Sequence, residues 1–161
     1  MNDPRLNRGR EWLEQLLAMG GLSIPVTASW EVDSCWLTLD SSHLTPEQIE
    51  SLIGTRGEAI DAIQYLANSI LNIGRVPEEQ SSYTIELDGY RVRRQNELQS
   101  LAEEVADRVR TSGEAVEITD LSSAERRQIH TLLKESTDLE TESQGEEPHR
   151  RLVVRLRSEI A

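Results

Sequence analysis

The sequence predicts an α+β protein built as two small units, and three observations carry that expectation. The period of its apolar residues switches repeatedly between the 3.6 of a helix and the 2 of a strand. Helix-start signatures recur, at Thr45-Pro46-Glu47-Gln48 and at Ser122-Ser123-Ala124-Glu125. The element order reads helix, strand, strand, helix, helix, strand as far as Leu87, and a new series opens with a strongly charged helix after Asp88-Gly89.

Taken in order, Trp12, Leu13, Leu16 and Leu17 form one face of a first helix that Gly20-Gly21 ends. Ile24, Val26, Ala28, Trp30 and Val32 then alternate with polar residues as a strand, Asp33-Ser34 turns, and Cys35, Leu37 and Leu39 make its hairpin partner. Thr45 is placed to accept from the Gln48 backbone N–H while Gln48 reaches back, and Pro46 suits the first helical position. Ile49, Leu52 and Ile53 face that short helix inward. A second helix follows from Ala59 to about Asn72, and Tyr83, Ile85 and Leu87 form a third strand.

The second series begins with a helix over 90–112, whose buried face carries Leu98, Leu101, Ala102, Val105, Ala106 and Val109. Val116 and Ile118 read as a short strand. Ile129, Leu132 and Leu133 face a further helix inward, 139–143 reads as a weak edge strand, and Leu152, Val154 and Leu156 alternate in the last one. The expected organisation is a flexible lead over 1–9, one unit over 10–88 and another over 89–158.

Composition narrows the function. With 17 Lys and Arg against 29 Asp and Glu, the net charge is -12, which excludes indiscriminate binding to nucleic acid, whose affinity comes largely from cationic contacts to phosphate. Any such site must be local. The cations are almost all arginine, the side chain suited to bidentate phosphate contacts. Cys35 is the only cysteine, so no intrachain disulfide can form, and a reducing, cytoplasmic setting is expected. No segment has the length and apolarity of a membrane span or the character of a secretory signal.

Two motifs carry chemistry. Gly54-Thr55-Arg56-Gly57 joins two helices: its glycines permit positive φ and close approach of another backbone, and the second lies at a helix N-terminus, where unpaired N–H groups suit an anion. A bare G-x-x-G is more often a plain turn. Arg126 and His130 lie four residues apart on one helix face. Arg126 also sits near the N-terminus of that helix, where the dipole disfavours a cation, an arrangement easier to explain if it meets an anion. The ordinary reading of R-x-x-x-H is a solvated pair.

The first element order, with Leu52-Ile53-Gly54-Thr55-Arg56-Gly57-Glu58-Ala59-Ile60 at its centre, resembles a type II K-homology (KH) domain, a three-stranded sheet with helices on one face. That resemblance implies that Gly54, Thr55, Arg56 and Gly57 clamp the backbone of a short single strand while Ile53 and Ile60 line an apolar groove for bases. Thr55 stands where many relatives have a second basic residue. The string 121–130, with Glu140-Thr141-Glu142-Ser143 and Pro148-His149-Arg150-Arg151, resembles the R-three-H domain, named for its Arg-x-x-x-His motif. It implies contacts to phosphate or nucleotide from Arg126 and His130, extended by Arg127, Arg150 and Arg151. The two in this order resemble the bacterial Jag (SpoIIIJ-associated) or KhpB family, without the N-terminal Jag domain of its longer members.

The expectation is therefore a non-catalytic binder of single-stranded RNA, with DNA as a second possible ligand, acting in post-transcriptional regulation or as an RNA chaperone-like factor. Two weak sites tethered through the helix that begins at Tyr90 would raise one another's effective concentration. An enzyme is disfavoured: H-x-x-x-H, H-E-x-x-H and paired-cysteine spacings are all missing, and the serines lack a nucleophile-elbow context. No metal or cofactor is expected. The alternative is an adaptor that pairs with a small single-KH protein or with itself and affects division or envelope processes, a role an acidic surface also suits.

Overall fold

A computed structural model of the chain describes residues 2–158, which fold as two compact units that divide between Arg91 and Val92. The class is α+β, as expected, with a three-stranded sheet in each unit.

The first unit contains α1 (Pro4–Met19), β1 (Val26–Glu31), β2 (Ser34–Leu39), α2 (Pro46–Ile53), α3 (Glu58–Ile70) and β3 (Tyr83–Leu87). Residues 4–9, expected as a flexible lead, are instead the first turns of α1. Asp3 starts the helix by accepting the Arg5 backbone N–H at 2.9 Å, and Pro4 fits the first turn because it has no N–H to satisfy. Gly9 then lets α1 lie on Tyr83, since a Cβ there would come 2.7 Å from that ring. The Tyr83 hydroxyl donates to the Arg5 carbonyl at 3.1 Å.

β1 and β2 pair antiparallel from Val26↔Leu39 to Glu31↔Ser34, so Val32 and Asp33 form a two-residue turn. Val32, expected to be an inward strand residue, sits in that turn at φ 45° with its side chain in solvent. Two-residue hairpin turns demand positive φ, and here register prevails over side-chain preference. β2 pairs parallel with β3, Cys35↔Tyr83 to Leu39↔Leu87. A parallel pair needs a crossover, which α2 and α3 supply. Cys35, Leu37 and Leu39 share a face with Tyr83, Ile85 and Leu87, and Leu13, Leu17, Ile60 and Ala67 cover it from α1 and α3.

Gln64 and Asn68 of α3, with Asn72 just past its C-terminal end, bind the outer edge of β3 and the chain leading into it. Ile85 N–H donates to Gln64 at 3.0 Å, Asn68 exchanges two 2.8–2.9 Å bonds with the Tyr83 backbone, and Asn72 exchanges two 2.8 Å bonds with Ser81. The spacing works because four helical residues advance about 6 Å and two strand residues about 6.6 Å. Sequence periodicity marks these positions only as polar.

The second unit takes up α4 (Tyr90–Ser112) from Val92 onward and adds β4 (Val116–Ile118), α5 (Ser123–Leu133), β5 (Leu139–Gln144) and β6 (Arg151–Leu156). Its sheet order is β4-β6-β5, antiparallel throughout. Leu98, Ala102, Val105 and Val109 of α4 pack with Ile129 and Leu133 of α5 over Leu139, Leu152 and Val154. The opposite sheet face is ionic, with Arg155 bound to Glu140 at 2.6 Å and to Glu142 at 3.2 Å. Ser122 and Glu125 cap α5 reciprocally. Glu125 also receives a bidentate pair from Arg94, at 2.7 and 3.2 Å, which raises the guanidinium pKa of Arg94 further. Among the described residues no helix is long and apolar enough to cross a membrane.

Candidate nucleic-acid interface

In the first unit, α2 stops at Gly54 (φ 77°) and a 3-10 turn over Thr55–Gly57 leads into α3. Arg56 (φ 56°) and Gly57 (φ 78°) both adopt left-handed backbone, and Thr55 and Arg56 are exposed at the tip. The glycines serve the chain itself. A Cβ on Gly54 would lie 2.8 Å from Ala59 Cβ, and one on Gly57 would lie 2.0 Å from the Tyr90 hydroxyl. Tyr90 rests in the space that the sequence reading left open for another molecule's backbone, and its hydroxyl donates to the Arg56 carbonyl at 3.3 Å. The first turn of α3 carries Glu58 and Asp61, which complement the helix dipole before any anion arrives. Asp61 also accepts from Arg91 at 2.6 Å, and Arg91 bonds the Ile85 carbonyl at 3.0 Å.

Of the two isoleucines expected to line a base groove, one departs from that expectation. Ile53 is half-buried against the core, and Ile60 is 1% exposed within it, so Ile60 has no surface to offer a base. The β3 edge is also bonded to Gln64 and Asn68. The loop therefore presents Thr55, Arg56 and backbone.

The second unit gathers most of its expected residues. Arg126, Arg127 and His130 from α5 and Arg150 from the turn before β6 line one depression of about 450 Å³, with Ser123, Thr141 and Ser143 adding hydroxyls and Glu147 a carboxylate. Arg127 and His130 are exposed, and the His130 ring bonds the Thr141 hydroxyl through Nδ1. Arg126 is 4% exposed: Nη1 donates to the Leu121 carbonyl at 2.7 Å and Nη2 is paired with Glu147. The anion that explains a cation at this helix N-terminus thus comes from the chain itself. Arg151 does not join the patch. Neighbouring strand residues point to opposite faces, and its Nε approaches Glu117 at 3.2 Å without hydrogen-bond alignment, while Nη2 reaches Gln144 at 3.4 Å.

Sequence reading missed Ser123, Thr141, Ser143, Glu147 and Tyr90. Thr141 and Ser143 follow Leu139 at period 2, so the alternation that placed Glu140 and Glu142 outward was the signal that these hydroxyls face the other way. Glu147 and Tyr90 leave no local signal, because each acts across the fold.

Residues 96–156 match the R-three-H domain family. Over most of the chain, similarity runs to the RNA-binding protein KhpB of Clostridium symbiosum, 27% identical over 149 residues, covering 92% of this chain and 65% of that protein. KhpB of Bacillus subtilis (strain 168) is 32% identical over 114 residues, 70% of this chain and 54% of the relative. KhpB of Lactiplantibacillus plantarum is 36% identical over 106 residues, 66% of this chain and 32% of the relative. The chain therefore spans between about a third and about two thirds of the length of these curated relatives.

Proposed function

We propose, from the premise that this chain belongs to the KhpB/Jag family and carries an R-three-H domain, that it binds single-stranded RNA in the cytoplasm without catalysing a reaction on it. The observation that carries this reading is the depression around Arg127, His130 and Arg150. On a chain of net charge -12, it gathers three arginines, a histidine and three hydroxyls. Phosphate recognition asks for such donors, and hydroxyls beside them suit the sugar-phosphate backbone. The KH-like unit over 10–88 contributes a second, weaker grip at Thr55 and Arg56, in keeping with its element order and exposed loop tip. Regulation of transcripts after their synthesis is the role that fits such a protein.

The test uses the whole chain and a short single-stranded RNA across a salt series. Arg127→Gln with Arg150→Gln should weaken binding at least tenfold and lower the salt slope by about 0.7 per lost phosphate contact. Thr55→Asp with Arg56→Asp should weaken it further. Unchanged affinity and slope in folded variants of the first pair would overturn the reading.

A pairing role is favoured by one observation. Tyr65, Leu66 and Ile70 of α3, with Ile73 after it, are exposed apolar residues. A second KH-type surface would cover them, and Leu66→Arg should then shift the molecular mass measured by light scattering toward the single chain.

A further inference from the structure

A single strand held by its phosphates still needs a place for its bases, and the loop unit offers little: Ile60 is buried and the β3 edge is bonded to α3. In the second unit, on the flank of α5 that faces α4, lies a groove of about 470 Å³. Gln95, Asn96 and Gln99 line it from α4, and Arg127, Gln128 and Leu132 from α5. Residues 95, 96 and 99 share a helix face, as do 128 and 132, so the two walls oppose carboxamides to one another.

Two features mark this groove. Four further depressions each include at least one Asp or Glu in their lining, whereas this one includes none, in a chain with 29 acidic residues. Arg127 lines both this groove and the phosphate depression, which makes the two neighbours across one side chain. Carboxamides present a donor and an acceptor side by side, the pattern of a base edge, and a Gln or Asn pairs bidentately with N6 and N7 of adenine. Leu132 is 42% exposed and supplies apolar surface against which a ring can lie.

We propose that this α4/α5 groove is a nucleobase site, reading the base of a nucleotide whose phosphate lies at Arg127 and favouring adenine. The proposal rests on the RNA-binding reading above. It divides labour within the unit: the arginine depression holds charge without regard to sequence, and the carboxamide groove supplies preference.

The experiment measures binding of the full chain to four oligoribonucleotides, all-A, all-U, all-C and an abasic oligomer of equal length, by fluorescence anisotropy at fixed salt. Wild-type protein should bind all-A at least tenfold more tightly than the abasic oligomer. Gln95→Ala with Gln128→Ala should erase most of that difference and leave abasic binding unchanged. Gln128→Glu, which places a carboxylate in the groove, should weaken all-A binding still more. Both sites are exposed or half-buried helix surface, so the variants retain the fold, to be checked by circular dichroism. If the double variant binds all-A as the wild type does, the base site is refuted while the phosphate reading stands. If the wild type binds none of the four, the RNA reading itself fails.

Discussion

Glu147→Gln should make this protein bind RNA more tightly. Glu147 is paired with Arg126, whose side chain is 5% exposed against 61% for the carboxylate. A phosphate that claims Arg126 must first displace that carboxylate. Two unit charges in contact at an effective dielectric of 20 attract by about 4 kcal/mol, an upper bound, because the exposed partner regains water when released. Exposed pairs are worth about 0.2–1 kcal/mol. With one end buried and one in solvent, about 1–1.5 kcal/mol is the reasonable figure, or roughly five- to tenfold in affinity. Arg126 would then also release a counterion on binding, so the salt slope should steepen by about 0.7. The assay is titration of a short single-stranded RNA between low and moderate salt. Glu135→Gln is the control, making the same change in net charge at an exposed position outside this depression. Stability should fall by about 1 kcal/mol, since the buried guanidinium keeps its carbonyl partner and an amide in place of the carboxylate. Equal affinity and slope in Glu147→Gln and its control would refute the reasoning and leave the ion pair a purely structural contact.

Three further outcomes follow from the fold. Gly57→Ala should cost about 2–4 kcal/mol in urea unfolding, because positive φ and the Tyr90 hydroxyl both oppose a Cβ; a cost under about 1 kcal/mol would mean that the loop has another accessible conformation. The Arg5 guanidinium and backbone N–H hold the Asp3 carboxyl at about 2, well below its ordinary range. Its capping of α1 is therefore complete above about pH 4 and is lost as pH falls through about 2, so amide exchange at the start of α1 should accelerate there in the wild type, with no such step in Asp3→Asn. Burial pushes the Cys35 thiol up to about 11, and a thiol reagent at pH 8 should label it only at the rate of unfolding; rapid stoichiometric labelling of native protein would contradict its place in the core.

Much of the fold was legible where one stretch of chain decides it. Thr45 and Gln48, and Ser122 and Glu125, cap their helices as their spacing implied, and the period-2 runs from Cys35 to Leu39 and from Leu152 to Leu156 are strands. Illegible were features decided by a distant partner. Nothing near Pro4 signals that Gly9 will lie on Tyr83, and nothing in Gly57 says that Tyr90 will fill its open side. The same holds at the site. Arg126, Arg127 and His130 share a depression because a helix face brings them together, whereas Arg150 and Arg151 part because a strand begins between them. The buried state of Arg126 depends on Glu147, whose place in a turn no periodicity foretells.

The amides of Gln64, Asn68 and Asn72 that hold Ile85, Tyr83 and Ser81 also bear on how this sheet meets other chains. An exposed strand border invites a strand from another molecule, the route to aggregation and domain exchange. On the β3 border the ordinary docking groups are already engaged within the protein, so enlargement of this sheet by a fourth member is disfavoured on that side. A variant with alanine at Gln64, Asn68 and Asn72 would uncover the guarded side, and slow self-association of otherwise native molecules is the behaviour to expect from it.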